Sequence, residues 1–159
     1  MLETTTVREM SGTNFRAGVV IVVRHPDLRR VLAFERADLA GQWQLPQGGL
    51  NRGETPIEGA WRELLEETGL GPESVLARAE YPEWLVYEWP DDVKAARGDG
   101  GRRIGQAQRW FLFDAHHDEV QPVPDGREFV AWRWVKPDWL IDHVAGFRRP
   151  AYERVLGSL

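Results

Sequence analysis

The sequence predicts an α/β sandwich, from a β-branched run near the N-terminus, one well-capped helix, and further strand patterns beyond it. Phe15 to His25 contains Val19-Val20-Ile21-Val22-Val23, a run suited to a pleated, buried strand. His25-Pro26-Asp27 supplies turn residues, and Val31 to Phe34 returns as a second strand. Asp38 to Gln42 reads as a loop and Trp43 to Pro46 as a short extended piece. Gln47 to Gly53, with three glycines, reads as a tight loop. Pro56 to Leu70 is helical: Thr55 is placed as N-cap, Pro56 as the first helical residue, and Glu58 completes a capping box. Gly69 and Gly71-Pro72 stop the helix.

Past this helix, Val75 to Trp89 reads as a strand interrupted near Pro82. Asp91 to Arg103 is rich in glycine and charge and reads as a mobile loop. Ile104 to Asp114 and Phe129 to Val135 are strands, the second with Trp132 and Trp134 on one face. Asp138 to Val144 and Ala151 to Leu156 are short helices. Residues 1–14 are polar and are expected to be loosely held. The whole, residues 1–159, fits one domain built on a mixed sheet.

With no cysteine there is no disulfide framework and no thiolate zinc site. No apolar run is long enough to span a bilayer, and the expected compartment is the cytoplasm. A formal charge of −5 argues against electrostatic binding of long nucleic acid, so no DNA partner is expected. The basic pairs Arg102-Arg103 and Arg148-Arg149 read on composition as solvated surface pairs, although either is able to hold a few phosphates. A monomer and a homodimer both stay open.

Chemistry concentrates on the helix. Glu63, Glu66 and Glu67 stand at i, i+3 and i+4, so their carboxylates share one face, while Ala60, Leu64 and Leu65 supply an apolar side. Such a face serves solubility when nothing else surrounds it. Here Gln47-Gly48-Gly49 lies just upstream and lets the backbone approach an ion or ligand closely. A hard divalent cation wants oxygen ligands, and magnesium is usually shared with substrate phosphates. The four histidines, His25, His116, His117 and His143, have no helical ligand spacing. Trp61, Trp110, Trp132 and Trp134 read as core. For Trp84, Tyr87 and Trp89, packing and stacking on a base at the mouth of a site remain open. Asp118 and Glu119 read as a solvated acidic turn.

The spacing from Gly48 through Glu54 to Arg62-Glu63-Leu64-Leu65-Glu66-Glu67-Thr68-Gly69-Leu70 resembles the Nudix hydrolase signature G-x5-E-x7-R-E-U-x-E-E-x-G-U. Every fixed position is filled. Trp43 to Leu50, Ile104 to Phe111, Glu128 to Val135 and Phe147 to Tyr152 are similar to segments of the bacterial RNA pyrophosphohydrolases and dinucleoside polyphosphate hydrolases within that family. Two stretches depart from that pattern: Arg16-Ala17-Gly18-Val19-Val20 at the first strand, and the segment between Trp89 and Ile104.

The resemblance implies an α/β/α sandwich and hydrolysis of a nucleoside diphosphate linked to another moiety, with Mg2+ or Mn2+. It implies metal ligation by Glu63, Glu66, Glu67 and Glu128, completed by the backbone carbonyl around Gln47-Gly48. Glu54 and Arg62 match positions that brace helix and loop through a salt bridge. Arg36, Gln106 and Arg148 fall where phosphate is contacted, and Tyr87 where a base is met. The catalytic set is Glu67, Glu128 and Glu66, with Glu67 and Glu128 the leading choices for general base. The expected reaction is attack of a metal-activated water on a phosphoanhydride, in a dinucleoside polyphosphate or a 5′-triphosphorylated RNA end. Nucleoside triphosphates, nucleotide sugars and a non-catalytic nucleotide-binding module are the alternatives.

Overall fold

The computed structural model describes residues 14–97 and 102–159. Its centre is a parallel pair, β1 (Phe15–Arg24) beside β7 (Gly105–Ala115), in register from Phe15 opposite Gly105 to Arg24 opposite Asp114. β2 (Val31–Arg36) runs antiparallel to β1, to β3 (Trp43–Gln44) and to β8 (Phe129–Val135). β5 (Val75–Glu80) and β6 (Leu85–Glu88) both pair antiparallel with β7, opposite its C-terminal and N-terminal halves. The segment around Pro82 divides them, as its lack of an N–H requires. Among the described residues, eight strands form one mixed sheet.

Alternation along β1 feeds two cores. Val19, Ile21 and Val23 face α1 (Pro56–Thr68), meeting Ala60 and Leu64 together with Phe111 and Phe113. Val20 and Val22 face the other way, toward α3 (Pro137–His143) and α4 (Arg149–Leu156), where Leu140, Tyr152, Val155 and Leu156 pack with Trp110. The result is the expected three-layer α/β/α sandwich. Trp110 is fully buried, and Trp61, Trp132 and Trp134 pack partly buried against the first core, as expected of core tryptophans.

α1 has the predicted ends. The Thr55 hydroxyl accepts from the Glu58 N–H, the Glu58 carboxylate accepts from the Thr55 N–H, and Gly69 closes the helix at φ 72°, a conformation costly for residues with a Cβ. Two expectations are corrected. Gln47–Gly49 is no loop but a short strand, β4, antiparallel to β1 with Val20 opposite Gln47 and Gly18 opposite Gly49. Asp91–Arg97 is a helix, α2, and not a mobile loop. Pro90 precedes it, Asp91 and Asp92 open its first turn, Lys94 pairs with Asp91 at 3.5 Å, and the Arg97 guanidinium lies 3.9 Å from the centre of the Trp89 ring. Acids first and bases last suit the helix dipole. Residues 98–101, and 1–13 of the N-terminal segment, lie outside the described residues.

One buried hydrogen bond fastens α4 to the site side of the sheet. The Leu45 N–H, just before β4, donates to the Tyr152 hydroxyl at 2.9 Å, with Tyr152 fully buried. Tyr152→Phe keeps the ring and strands that N–H. It is expected to lower unfolding free energy by about 1–2 kcal/mol, measured by urea denaturation; an unchanged midpoint would show that water satisfies Leu45 instead.

Candidate active site

α1 packs against β4, and a Cβ on residue 48 would meet the Glu63 carboxyl, the far end of a side chain that would then have to shift. The acidic face of α1 looks toward the loop before β8. Glu63, Glu66 and Glu67 line one pocket of about 440 Å³ with Asp125, Arg127 and Glu128. Glu63 and Glu67 are buried, Glu66 and Glu128 exposed. Asp125 builds the loop: its Oδ1 accepts from the N–H groups of Arg127, Glu128 and Phe129 at 3.0, 2.9 and 3.1 Å. Its own N–H donates to the Glu67 carbonyl at 3.1 Å, tying the loop to the end of α1.

Arg62 governs the rest of the acidic face. It grips Glu54 through Nε at 2.7 Å and Nη2 at 2.8 Å, and Nη2 also donates to the Gly49 carbonyl at 2.9 Å. Its Nη1 reaches Glu63 at 2.7 Å and Glu66 at 3.3 Å. The brace expected of Glu54 and Arg62 is therefore present, and the hydrogen bond to Arg62 holds Glu54 below the usual carboxylate range. Arg62 holds both Glu63 and Glu66, and among the described residues no three acidic or histidine side chains are gathered tightly enough to grip an ion as they stand.

Glu67 is the electrostatic extreme of the site. Burial, then the nearby Glu63 and Glu128 charges, pushes it up to about 10, against a single opposing bond from the Gln47 N–H at 3.2 Å. Burial also raises Glu63, though Arg62 opposes this. A buried carboxyl ringed by carboxylates, with a glycine strand against it, offers an all-oxygen donor set of the kind Mg2+ and Mn2+ take.

A second pocket of about 450 Å³ has a different character. Arg36, Gln42, Phe147 and Arg148 line it with Val93 and Ala96 of α2. Arg148 is only 8 % exposed, which overturns its reading as a solvated surface residue. Its Nη1 donates to Gln47 Oε1 at 2.6 Å and to the Tyr87 hydroxyl at 2.9 Å, while its buried Nε has no partner among the described residues. Arg36 is held by Asp38 through bonds of 2.9 and 2.7 Å. Tyr87 leans on Phe147, ring centres 5.7 Å apart.

The structure thus gathers Glu63, Glu66, Glu67 and Glu128 in one pocket, Arg36 and Arg148 in another, and Tyr87 against Arg148. Gln106 lines neither; it is buried in β7, accepting from Gln108 Nε2 at 3.2 Å. Trp89 is buried beneath Arg97, and Trp84 lies beside Arg109. Asp118 and Glu119 are exposed, as expected. The sequence reading passed over Asp125, Gln42 and Phe147. Asp125 carried a signal, since an Asp before a glycine ahead of a strand suits a side-chain-closed turn; Gln42 and Phe147 carried none.

Comparisons with known proteins agree with this architecture. The NUDIX domain model matches residues 14–155. An RNA pyrophosphohydrolase of Zymomonas mobilis is 39% identical over 152 residues, covering 94% of this chain and 97% of that one. One from Rhodospirillum rubrum is 37% identical over 151 residues, covering 94% and 89%. Among solved structures, the E. coli dihydroneopterin triphosphate pyrophosphohydrolase superposes with a TM-score of 0.75 at 22% identity, covering 91% and 99%. A C. elegans Ap4A hydrolase complex gives 0.68 at 16%, covering 90% and 96%; both show the shared fold. The chain belongs to the Nudix family and is a hydrolase of that family, a pyrophosphohydrolase.

Without a cation, ionising Glu67 opposes folding. Its folded pKa lies above the unfolded one, so between about pH 5 and about 10 the folded state keeps a proton that the unfolded chain has lost, and stability falls as pH rises. In chelator at pH 8, Glu67→Gln is expected to melt above wild type by about 3–6 °C, corresponding to about 1–2 kcal/mol. The gap should close at pH 5; equal melting temperatures at both pH values would contradict it.

Proposed function

We propose that this chain hydrolyses a phosphoanhydride at the 5′-triphosphorylated end of RNA, with dinucleoside polyphosphates as a second substrate class. The observation that carries the reading is the adjacency of two unlike pockets, joined through Gln47. One is ringed by carboxylates, and the other combines arginine with an aromatic ring. A polyphosphate with a nucleoside at one end has that same division. The two RNA pyrophosphohydrolases, alike over nearly the whole chain, support RNA as the first choice.

In this reading Glu63, Glu66, Glu67 and Glu128 hold Mg2+ or Mn2+, with the Gly48 carbonyl as the backbone oxygen proposed to complete the set. Bound there, such cations lower the pKa of water and offset charge on the phosphates. Arg148 and Arg36 orient the phosphates as charge-assisted donors, Arg36 exchanging its exposed partner Asp38 for substrate. Phe147 offers a ring face to the adjoining base. Glu67, fixed by burial and by the Gln47 N–H, suits a ligand that must not move. Glu128, exposed at the pocket edge, suits the general base that takes a proton from the attacking water. The water oxygen bonds to phosphorus, the bridging P–O bond breaks, and the leaving phosphate carries away the bond pair.

Triphosphorylated RNA, diadenosine polyphosphates, nucleoside triphosphates and nucleotide sugars, each with magnesium, form the deciding panel. Release of pyrophosphate or phosphate from RNA at the highest kcat/KM is expected; preference for a nucleotide sugar would displace the proposal, and binding without turnover would favour a nucleotide-binding module. Glu67→Gln should lower kcat at least about a hundredfold, and retention of a tenth of wild-type activity at saturating magnesium would remove Glu67 from the metal set. Arg36→Ala and Arg148→Ala should each raise KM more than they lower kcat; if both constants stay within a factor of about two, neither arginine holds phosphate.

A further inference from the structure

Gln47 is the residue through which the two pockets touch, and its contacts have a definite polarity. The backbone N–H donates to Glu67 Oε2 at 3.2 Å. The side-chain Oε1 accepts from Arg148 Nη1 at 2.6 Å and from Gln108 Nε2 at 3.2 Å. A guanidinium only donates, so the amide atom that faces it must be oxygen. Gln108 reinforces that orientation. It is 1 % exposed, and its Nε2 also donates to Gln106 Oε1 at 3.2 Å, so its donors are committed on both sides.

Among the described residues, the two side-chain hydrogen-bond partners of Arg148, Gln47 and Tyr87, are neutral. Arg36, in the same pocket, is held by a carboxylate, which cancels its charge locally. A long arginine side chain loses much rotamer freedom when fixed. A neutral acceptor fixes it and leaves the full positive charge for an anion, whereas a carboxylate fixes it and neutralises it. We infer that Gln47 is a positioning residue: its side-chain oxygen holds the Arg148 guanidinium in place for substrate phosphate without cancelling the charge. This also explains Gln106, which reaches neither pocket: it anchors Gln108, which orients Gln47. The inference rests on Arg148 being a phosphate contact.

A double-mutant cycle tests it, with triphosphorylated RNA and diadenosine tetraphosphate as probes in magnesium. Gln47→Met keeps length and the backbone N–H but loses the oxygen. It is expected to raise KM at least about fivefold, in the direction of Arg148→Ala, with kcat within about threefold of wild type. The double variant Gln47→Met with Arg148→Ala should be no worse than Arg148→Ala alone, because one residue acts through the other. Multiplying effects, or a silent Gln47→Met beside an impaired Arg148→Ala, would overturn the positioning role while leaving Arg148 as a phosphate contact. A silent Arg148→Ala would overturn both. Should Gln47→Met melt below the assay temperature, Gln47→Glu decides: it keeps the oxygen and adds the cancelling charge, so KM should rise at least about fivefold. An unchanged KM would show that charge at Arg148 is irrelevant and would end the proposal.

Discussion

Arg62 makes five hydrogen bonds, as many as a guanidinium has N–H donors, and the active-site side of the molecule is organised around them. They reach the loop at Glu54, the strand at Gly49 and the helix's own acids at Glu63 and Glu66. Three carboxylates on one helical face repel one another, and Arg62 offsets two of them, Glu63 and Glu66. The same side chain ties α1 to β4 through the Gly49 carbonyl. An ammonium in its place would have three donors and no planar fork, too few for these five bonds and unable to grip Glu54 with two parallel ones.

The parts of this fold legible in the sequence are those where local chemistry decides structure. Thr55, Pro56, Glu58 and Gly69 mark the ends of α1 whatever lies around it, and the spacing of Glu63, Glu66 and Glu67 fixes their common face. β4 was misread because Gln-Gly-Gly has no strand preference of its own; β1 supplies the template. α2 was hidden by the glycines that follow it, although Pro90 and the order of its charges pointed to a helix. The acidic pocket was largely legible because most of its carboxylates share one helix. Of the arginine pocket, Arg36 and Arg148 entered only through the resemblance, and Gln42 and Phe147 not at all, because the pocket is assembled from distant stretches of chain.

Burial explains why Arg148 and Arg149, adjacent in sequence, behave so differently. Arg148 ends the single turn Gly146–Arg148 and points inward to Gln47 and Tyr87. Arg149 begins α4 and donates from the surface to the Ile141 carbonyl at 3.1 Å. Composition sees two equal cations. The turn makes one of them part of a polar seam running Tyr87, Arg148, Gln47, Glu67 through the body of the domain. That seam gives a protein of net negative charge a buried cation at the wall of the second pocket.

The parallel pairing of β1 with β7 has a consequence for how the chain reaches this state. Partners such as Arg24 and Asp114 stand 90 residues apart, so the centre of the sheet closes only after most of the sequence exists. Long-range closure of this kind slows folding. During synthesis Val19-Val20-Ile21-Val22-Val23 emerges long before either α1 or α4 is available to cover its two faces. Five consecutive β-branched residues without charge form a segment prone to pairing with other chains. The hairpin with β2, closed by turn bonds among His25, Asp27 and Arg30, is the earliest local structure able to occupy one of its edges.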